Sequence, residues 1–94
     1  MQRFLIEREM PGVGALSAAD LRSAARKSNA VLRELGPDIQ WVQSYRSADK
    51  FFCVYLARHE ALVRRHAEMS GFPANRITPI DTTIDPTTAA GCTG

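Results

Sequence analysis

The side chains of this chain able to hold a metal ion or move a proton are few. His59 and His66 are its two histidines, seven positions apart in HEALVRRHAEM (59–69). Cys53 and Tyr55 lie just upstream, Glu60 directly follows His59, and Glu7 sits near the N-terminus. Imidazole, thiolate and carboxylate together suit a borderline divalent metal such as nickel or zinc. Each also has a purely structural reading. An imidazole can be satisfied inside a core, Cys53 can be a small core residue, and Glu7 can pair with Arg46 or Arg76. Tyr55 can belong to a subunit interface.

On a helix turning about 100° per residue, seven steps return nearly to the starting direction. His59, Leu62, Val63, His66 and Ala67 then share an apolar arc, with Arg64, Arg65 and Glu68 on the charged back. His66, at mid-helix, is expected to be buried and hydrogen-bonded to a strand carbonyl or to Ser28. His59, in the first turn, is expected to reach solvent. The two lie about 10.5 Å apart along the axis at ~1.5 Å per residue. That is too far to share one ion at bond lengths of ~2.0–2.1 Å. A metal site would therefore use one histidine, His66 or His59, completed by Cys53, Glu7 or Glu60 from the strands or from a second subunit.

Other chemistries find less support. The His59-Glu60 pair does not begin a zinc-protease HExxH motif, because Val63 stands where the second histidine is needed. No Gly-x-Ser-x-Gly elbow occurs, and Cys53 falls within a predicted strand instead of at a helix N-terminus that would favour its thiolate. Gly12-Val13-Gly14 is a lone Gly-x-Gly and reads as a turn, not a phosphate loop.

The elements that must position these groups are well marked. Phe4–Glu9 reads as a strand closed by MPGVGA (10–15). A helix follows, with Ser17 as N-cap, Asp20 completing a capping box, and Leu16 and Leu21 forming a hydrophobic staple. Leu21, Ala24, Ala25, Ser28, Val31, Leu32 and Leu35 make its apolar stripe, and Gly36-Pro37 ends it. IQWVQSYR (39–46) and FFCVYLA (51–57) form a hairpin. Strict alternation puts Ile39, Trp41, Gln43, Tyr45, Phe52, Val54 and Leu56 on one face, expected to meet the helices. The other face carries Gln40, Val42, Ser44, Arg46, Phe51, Cys53 and Tyr55. A second helix runs from about 58 to 70, stopped by Gly71 and Pro73. A last strand, roughly 75–84, contains Pro79 and so belongs at a sheet edge.

The order βαββαβ, with right-handed crossovers, predicts an α+β, ferredoxin-like domain over residues 1–84, followed by a tail over 85–94. Two helices cover one face of the four-stranded antiparallel sheet. The open face is expected to meet a second copy through Val42, Phe51 and Tyr55, giving a homodimeric α+β barrel.

Composition narrows the partners. The chain has 94 residues, 45% of them hydrophobic and 23% charged, which fits one small folded domain. Its net charge is only +2 and the basic residues are interspersed with acids, so nucleic acid is not an expected partner. The N-terminus has no secretory-signal pattern, and no apolar run reaches the roughly 18–20 residues of a membrane span. Cys53 and Cys92 make a poor disulfide framework, since Cys92 lies in the small polar tail. A reducing cytoplasm is the expected setting.

The stretches RFLIER, IQWVQSYRSADKFFCVYLA and HEALVRRHAEMSGFPANRITPI resemble a small bacterial ferredoxin-like family described as nickel-binding or nickel-responsive. The likeness spans about residues 3–89 and rests on Trp41, Val42, Ser44, Tyr45, Asp49, Lys50, Cys53, Tyr55, Gly71 and Pro73. It implies a dimeric protein that binds divalent metal at the dimer surface, with a role in nickel sequestration. Gln43 stands where many relatives carry a histidine. Two further classes remain open from the sequence. One is a small dimeric α+β-barrel enzyme of the haem-linked or cofactor-free monooxygenase type, with His66 as a haem ligand. The other is an interaction module without chemistry.

Overall fold

The computed structural model describes residues 1–91; Cys92 lies outside the described residues. Four strands, β1 (Gln2–Glu9), β2 (Ile39–Arg46), β3 (Lys50–Ala57) and β4 (Arg76–Ile80), form one sheet in the order β2-β3-β1-β4. Every pairing is antiparallel. Helices α1 (Ala18–Leu35) and α2 (Glu60–Ser70) pack on one face, and a short α3 (Thr88–Gly91) follows the last strand. This is the ferredoxin-like α+β arrangement.

The punctuation of α1 acts as its residue types require. Ser17 Oγ accepts from the Asp20 amide, and the Asp20 carboxylate accepts from the Ser17 amide, both at 3.1 Å. This reciprocal box satisfies two helix-end donors at once. At the other helix, Gly71 takes φ +77° and ends α2 in the left-handed conformation that glycine adopts without penalty. The segment after β1 folds as a 3-10 turn over Val13–Ala15. Gly14 donates to Ala48 O at 2.9 Å, and a Cβ there would fall 2.9 Å from Ala48 Cα. Glycine is therefore needed to seat this turn against the β2–β3 hairpin.

The core is Phe4, Ile6, Ile39, Cys53, Tyr55, Ala57 and Val63, with Leu32, Leu35, Trp41, Phe51 and Ile77 against it. That list corrects the expected faces. Phe51, Cys53 and Tyr55 turn toward the helices, whereas Phe52, Val54 and Leu56 lie on the open face. A register shift between Trp41 and Gln43 leaves Val42 outside the pairing and brings Ile39 and Trp41 to the same face as Cys53 and Tyr55. The extra residue reverses the parity of β2. Ile39 and Trp41 face the helices before it, and Ser44 does so after it. Gln43 and Tyr45 are sent to the open face.

Two boundaries also differ. β4 ends at Ile80, opposite Arg3, where the Gln2 side chain takes up the Ile80 carbonyl, and Thr82 and Ile84 stay outside the sheet. α2 begins at Glu60 with His59 as its N-cap. β4 is an edge strand, as Pro79 requires.

Candidate functional site

Strand parity in β1 puts Phe4, Ile6 and Arg8 on one face. The first two are core residues, and Arg8 follows them inward to 2% exposure. Its Nη1 donates to Pro73 O at 2.8 Å, while Nη2 has no partner among the described residues. The guanidinium carbon lies 6.0 Å from the Tyr55 ring centroid and 5.8 Å from that of Phe72. Cation–π attraction and one carbonyl replace the carboxylate that a buried arginine ordinarily pairs with.

His66 sits beside it, 1% exposed, where the inward arc of α2 meets α1. Its Nε2 is 3.1 Å from Ser28 Oγ, which is 3.5 Å from the Tyr55 hydroxyl. The Tyr55 and His66 rings are tilted at 53° with centroids 5.1 Å apart. Nδ1 of His66 is enclosed without a partner among the described residues. Burial, and then the charge of Arg8, push the imidazole down to about 4, against a weaker opposing effect of Ser28. Near neutral pH the ring is uncharged. Burial also pushes the Tyr55 phenol up, with Ser28 and Arg8 pulling the other way.

A cavity of about 290 Å³ opens between the N-terminal half of α1 and the sheet. Arg8, Ser28, Cys53, Tyr55 and Phe72 line it along with apolar residues of α1, β2 and β3, and Trp41 donates to Ser44 Oγ at 2.9 Å on the same wall. His66 does not line it; Ser28 and Tyr55 do, in front of the imidazole.

The expected ligand residues fall in three separate places. His66 and Cys53 are in the interior on the helix side. Glu7 projects from the opposite face of β1, 3.9 Å from Lys50 Nζ, which takes the role expected of Arg46 or Arg76. Arg46 donates instead to Leu16 O. His59 and Glu60 stand at the start of α2, with His59 exposed and Glu60 bonded twice by Arg64 at 2.8 and 3.0 Å. Among the described residues, no group of three or more His, Cys, Asp or Glu side chains is placed to hold one metal ion.

The interior imidazole does not fit a cation. Its Nε2 is taken up by Ser28, and the neighbouring charge is the Arg8 guanidinium, which repels a metal at short range. The same enclosure does not fit an axial haem ligand. His59 differs, since its side chain makes no capping bond and lies open to solvent. Arg8 is the site residue that sequence reasoning passed over, although the alternation Phe4, Ile6, Arg8 pointed inward.

Comparison with known proteins gives this geometry a context. The pattern of a family described as "Nickel responsive protein SCO4226-like" matches residues 4–80. The crystal structure of SCO4226 from Streptomyces coelicolor A3(2) superposes with a TM-score of 0.74 at 18% identity, covering 87% of this chain and 99% of that one. At that identity the likeness bears on the fold. No curated protein matches. Among the described residues, no helix is long and apolar enough to cross a membrane.

Proposed function

The chain belongs to the SCO4226-like family of nickel responsive proteins, and from that premise we propose that it binds Ni²⁺ as a homodimer and withholds the ion in the cytoplasm. The observation that carries the reading is the unequal state of the two histidines. His66 is locked to Ser28 beside a guanidinium, whereas His59 is exposed at the head of α2 with no capping bond from its side chain. Imidazole is a good nickel ligand, and His59 offers it where an ion can arrive. Carboxylates stand near it, with Glu60 next in sequence and Asp38 bonded to Arg58 at 2.9 Å. Both are held by arginines, so the ion must draw one away or take its remaining ligands from a second protomer.

The open sheet face is the surface for that second protomer. It carries Leu5, Phe52, Val54 and Leu56 flanked by Tyr45 and Val42, which are 55% and 45% exposed. These apolar groups form a strip bordered by Glu7, Lys50 and Gln43, and a strip of this kind is suited to self-association about a twofold axis. Gln43, on the same face, donates to the Tyr45 hydroxyl, and its amide is a poorer metal ligand than an imidazole at that position would be.

Calorimetric titration of untagged protein with Ni²⁺ tests the reading. Wild type and His66→Ala should bind, and His59→Ala should lose affinity about tenfold or more, the expected scale for removing a ligand or its support. No heat with wild type, or equal affinity in His59→Ala, overturns it.

A further inference from the structure

The cavity beneath α1 is mostly apolar, and among its few polar groups is a full positive charge. Leu16, Leu21, Ala24, Ala25, Trp41 and Phe51 supply hydrocarbon and ring surface. Arg8 lines the same space, almost wholly buried, with Nη2 unpartnered among the described residues. The ion pairs formed among the described residues involve Lys50, Arg58, Arg64 and Arg65, none of them Arg8. A buried guanidinium with no counter-charge runs against the general pairing of interior charges, and its desolvation is costly. Its polar neighbours, Ser28 and Tyr55, are hydroxyls and supply no negative charge.

We propose that this cavity is a binding site for a small apolar monocarboxylate, an alkyl or aryl acid whose carboxylate pairs with Arg8 and whose body lies under α1. Three features select that class. The guanidinium fork matches a planar carboxylate, and Arg8 lines the cavity with one nitrogen unpartnered among the described residues. The walls suit hydrocarbon, and their hydroxyls are already engaged, Ser28 with His66 and Tyr55 and Ser44 with Trp41, which leaves a phosphate dianion little beyond the one guanidinium. The volume, about 290 Å³, stands at the small end of ligand pockets, which run from roughly 300 Å³ upward. Space for the ligand exists because α1 presents Ala24 and Ala25 where longer side chains would fill it. The site is separate from His59 and goes beyond the nickel reading.

Trp41 is the chain's one tryptophan and lines the cavity, so its emission reports occupancy. Untagged protein would be titrated with octanoate and with phenylbutyrate, then with the two corresponding amides and with inorganic phosphate. Both acids should give saturable changes, and the amides should bind about tenfold more weakly because the charge-assisted bond is lost. Arg8→Met should erase the difference between acid and amide. Ala25→Phe retains Arg8 but fills the space, and should weaken acid binding about tenfold or more. If Arg8→Met does not fold, the acid–amide comparison on wild type and the Ala25→Phe variant decide the matter. The proposal is overturned by no saturable change with either acid, by amides binding as well as acids, by a preference for phosphate, or by undiminished acid affinity in Ala25→Phe. Nickel titrations neither support nor weaken any of these outcomes.

Discussion

The two faces of the sheet each carry groups that their setting does not lead one to expect. The face under the helices encloses Arg8, Ser28, His66 and Ser70, all nearly inaccessible. The open face carries Phe52, Val54, Leu56 and Leu5, with Tyr45 and Val42 well exposed at its margin. The covered face tolerates polar groups because most of them find one another: His66 meets Ser28, Ser70 donates to His66 O at 2.7 Å, and Arg8 meets Pro73 O. On the open face Glu7 meets Lys50 and Gln43 meets Tyr45, while the apolar groups between them are what a second protomer would cover. Greasiness alone therefore does not select which side of a strand meets the helices. The bulge in β2 and the placement of polar partners on α1 and α2 do.

Truncation on each face sharpens this contrast and carries the largest expected effect. Ile6 is wholly buried on the helix side, and Ile6→Ala should cost about 2–5 kcal/mol from lost burial and a residual cavity. Urea unfolding should return the same loss at every protein concentration. Val54→Ala, on the open face, should cost less in dilute protein and more as concentration rises, because a dimer adds burial only there. A concentration-independent loss at Val54 equal to that at Ile6 would break the distinction between the faces and remove the support for self-association.

The next effect comes from the polar interior. Burial first, and the charge of Arg8 second, hold His66 at about 4 instead of its ordinary 6.5. Between those values the unfolded chain binds a proton that the folded chain refuses. Acid therefore favours unfolding. The stability that the neutral ring permits is complete above about pH 6.5 and is lost as pH falls toward about 4, a total on the order of 3 kcal/mol at ~1.4 kcal/mol per unit. Urea unfolding at about pH 7 and about pH 5, above the ordinary carboxylate range of ~3.9–4.3, isolates most of this loss. His66→Gln keeps a hydrogen-bonding group for Ser28 and has nothing to titrate, so its stability should change much less between the two pH values. An equal slope in wild type and variant would mean that the interior imidazole is not the source.

Much of this architecture is legible in residue types, and the failures have a common cause. Ser17, Asp20 and Gly36 mark α1 because helix ends have local chemical demands that local residues meet. The helical wheel likewise separates His66 from His59, since both lie on one regular element, and it brings Ser28 into view as a partner. The faces of the hairpin are another matter. A single unpaired residue at Val42 reverses everything after it in β2, and nothing in IQWVQSYR announces a bulge there. In β3, FFCVYL is apolar on both sides, so alternation cannot tell Phe51, Cys53 and Tyr55 from Phe52, Val54 and Leu56. The ligand set built from Cys53, Glu7, Glu60 and the two histidines treats residue type as proximity. Glu7 and Cys53 occupy adjacent strands, yet their parities send them to opposite faces.

The smallest effect concerns the end of α1 that stands off the covered face. Ser17 begins the helix, while Leu16 before it and Leu21 within it both line the cavity. The capping box thus holds the roof of that space as well as the helix end. Ser17→Ala removes the acceptor for the Asp20 amide and should cost about 1 kcal/mol, within the range of ~0.5–2 for such caps. Loss of a cap frays its own end first, so hydrogen exchange should quicken at the Asp20 and Leu21 amides and leave those near Val31 unchanged. The Leu21 amide donates to Ser17 O at 3.0 Å and is among the first helical bonds to open. Because the cavity depends on that turn, the same variant should bind octanoate more weakly than wild type while its affinity for Ni²⁺ at His59, on the other helix, stays the same. Uniform acceleration along α1 would show instead that the helix opens as one unit with the core, and that the cavity end is no looser than the rest of the covered face.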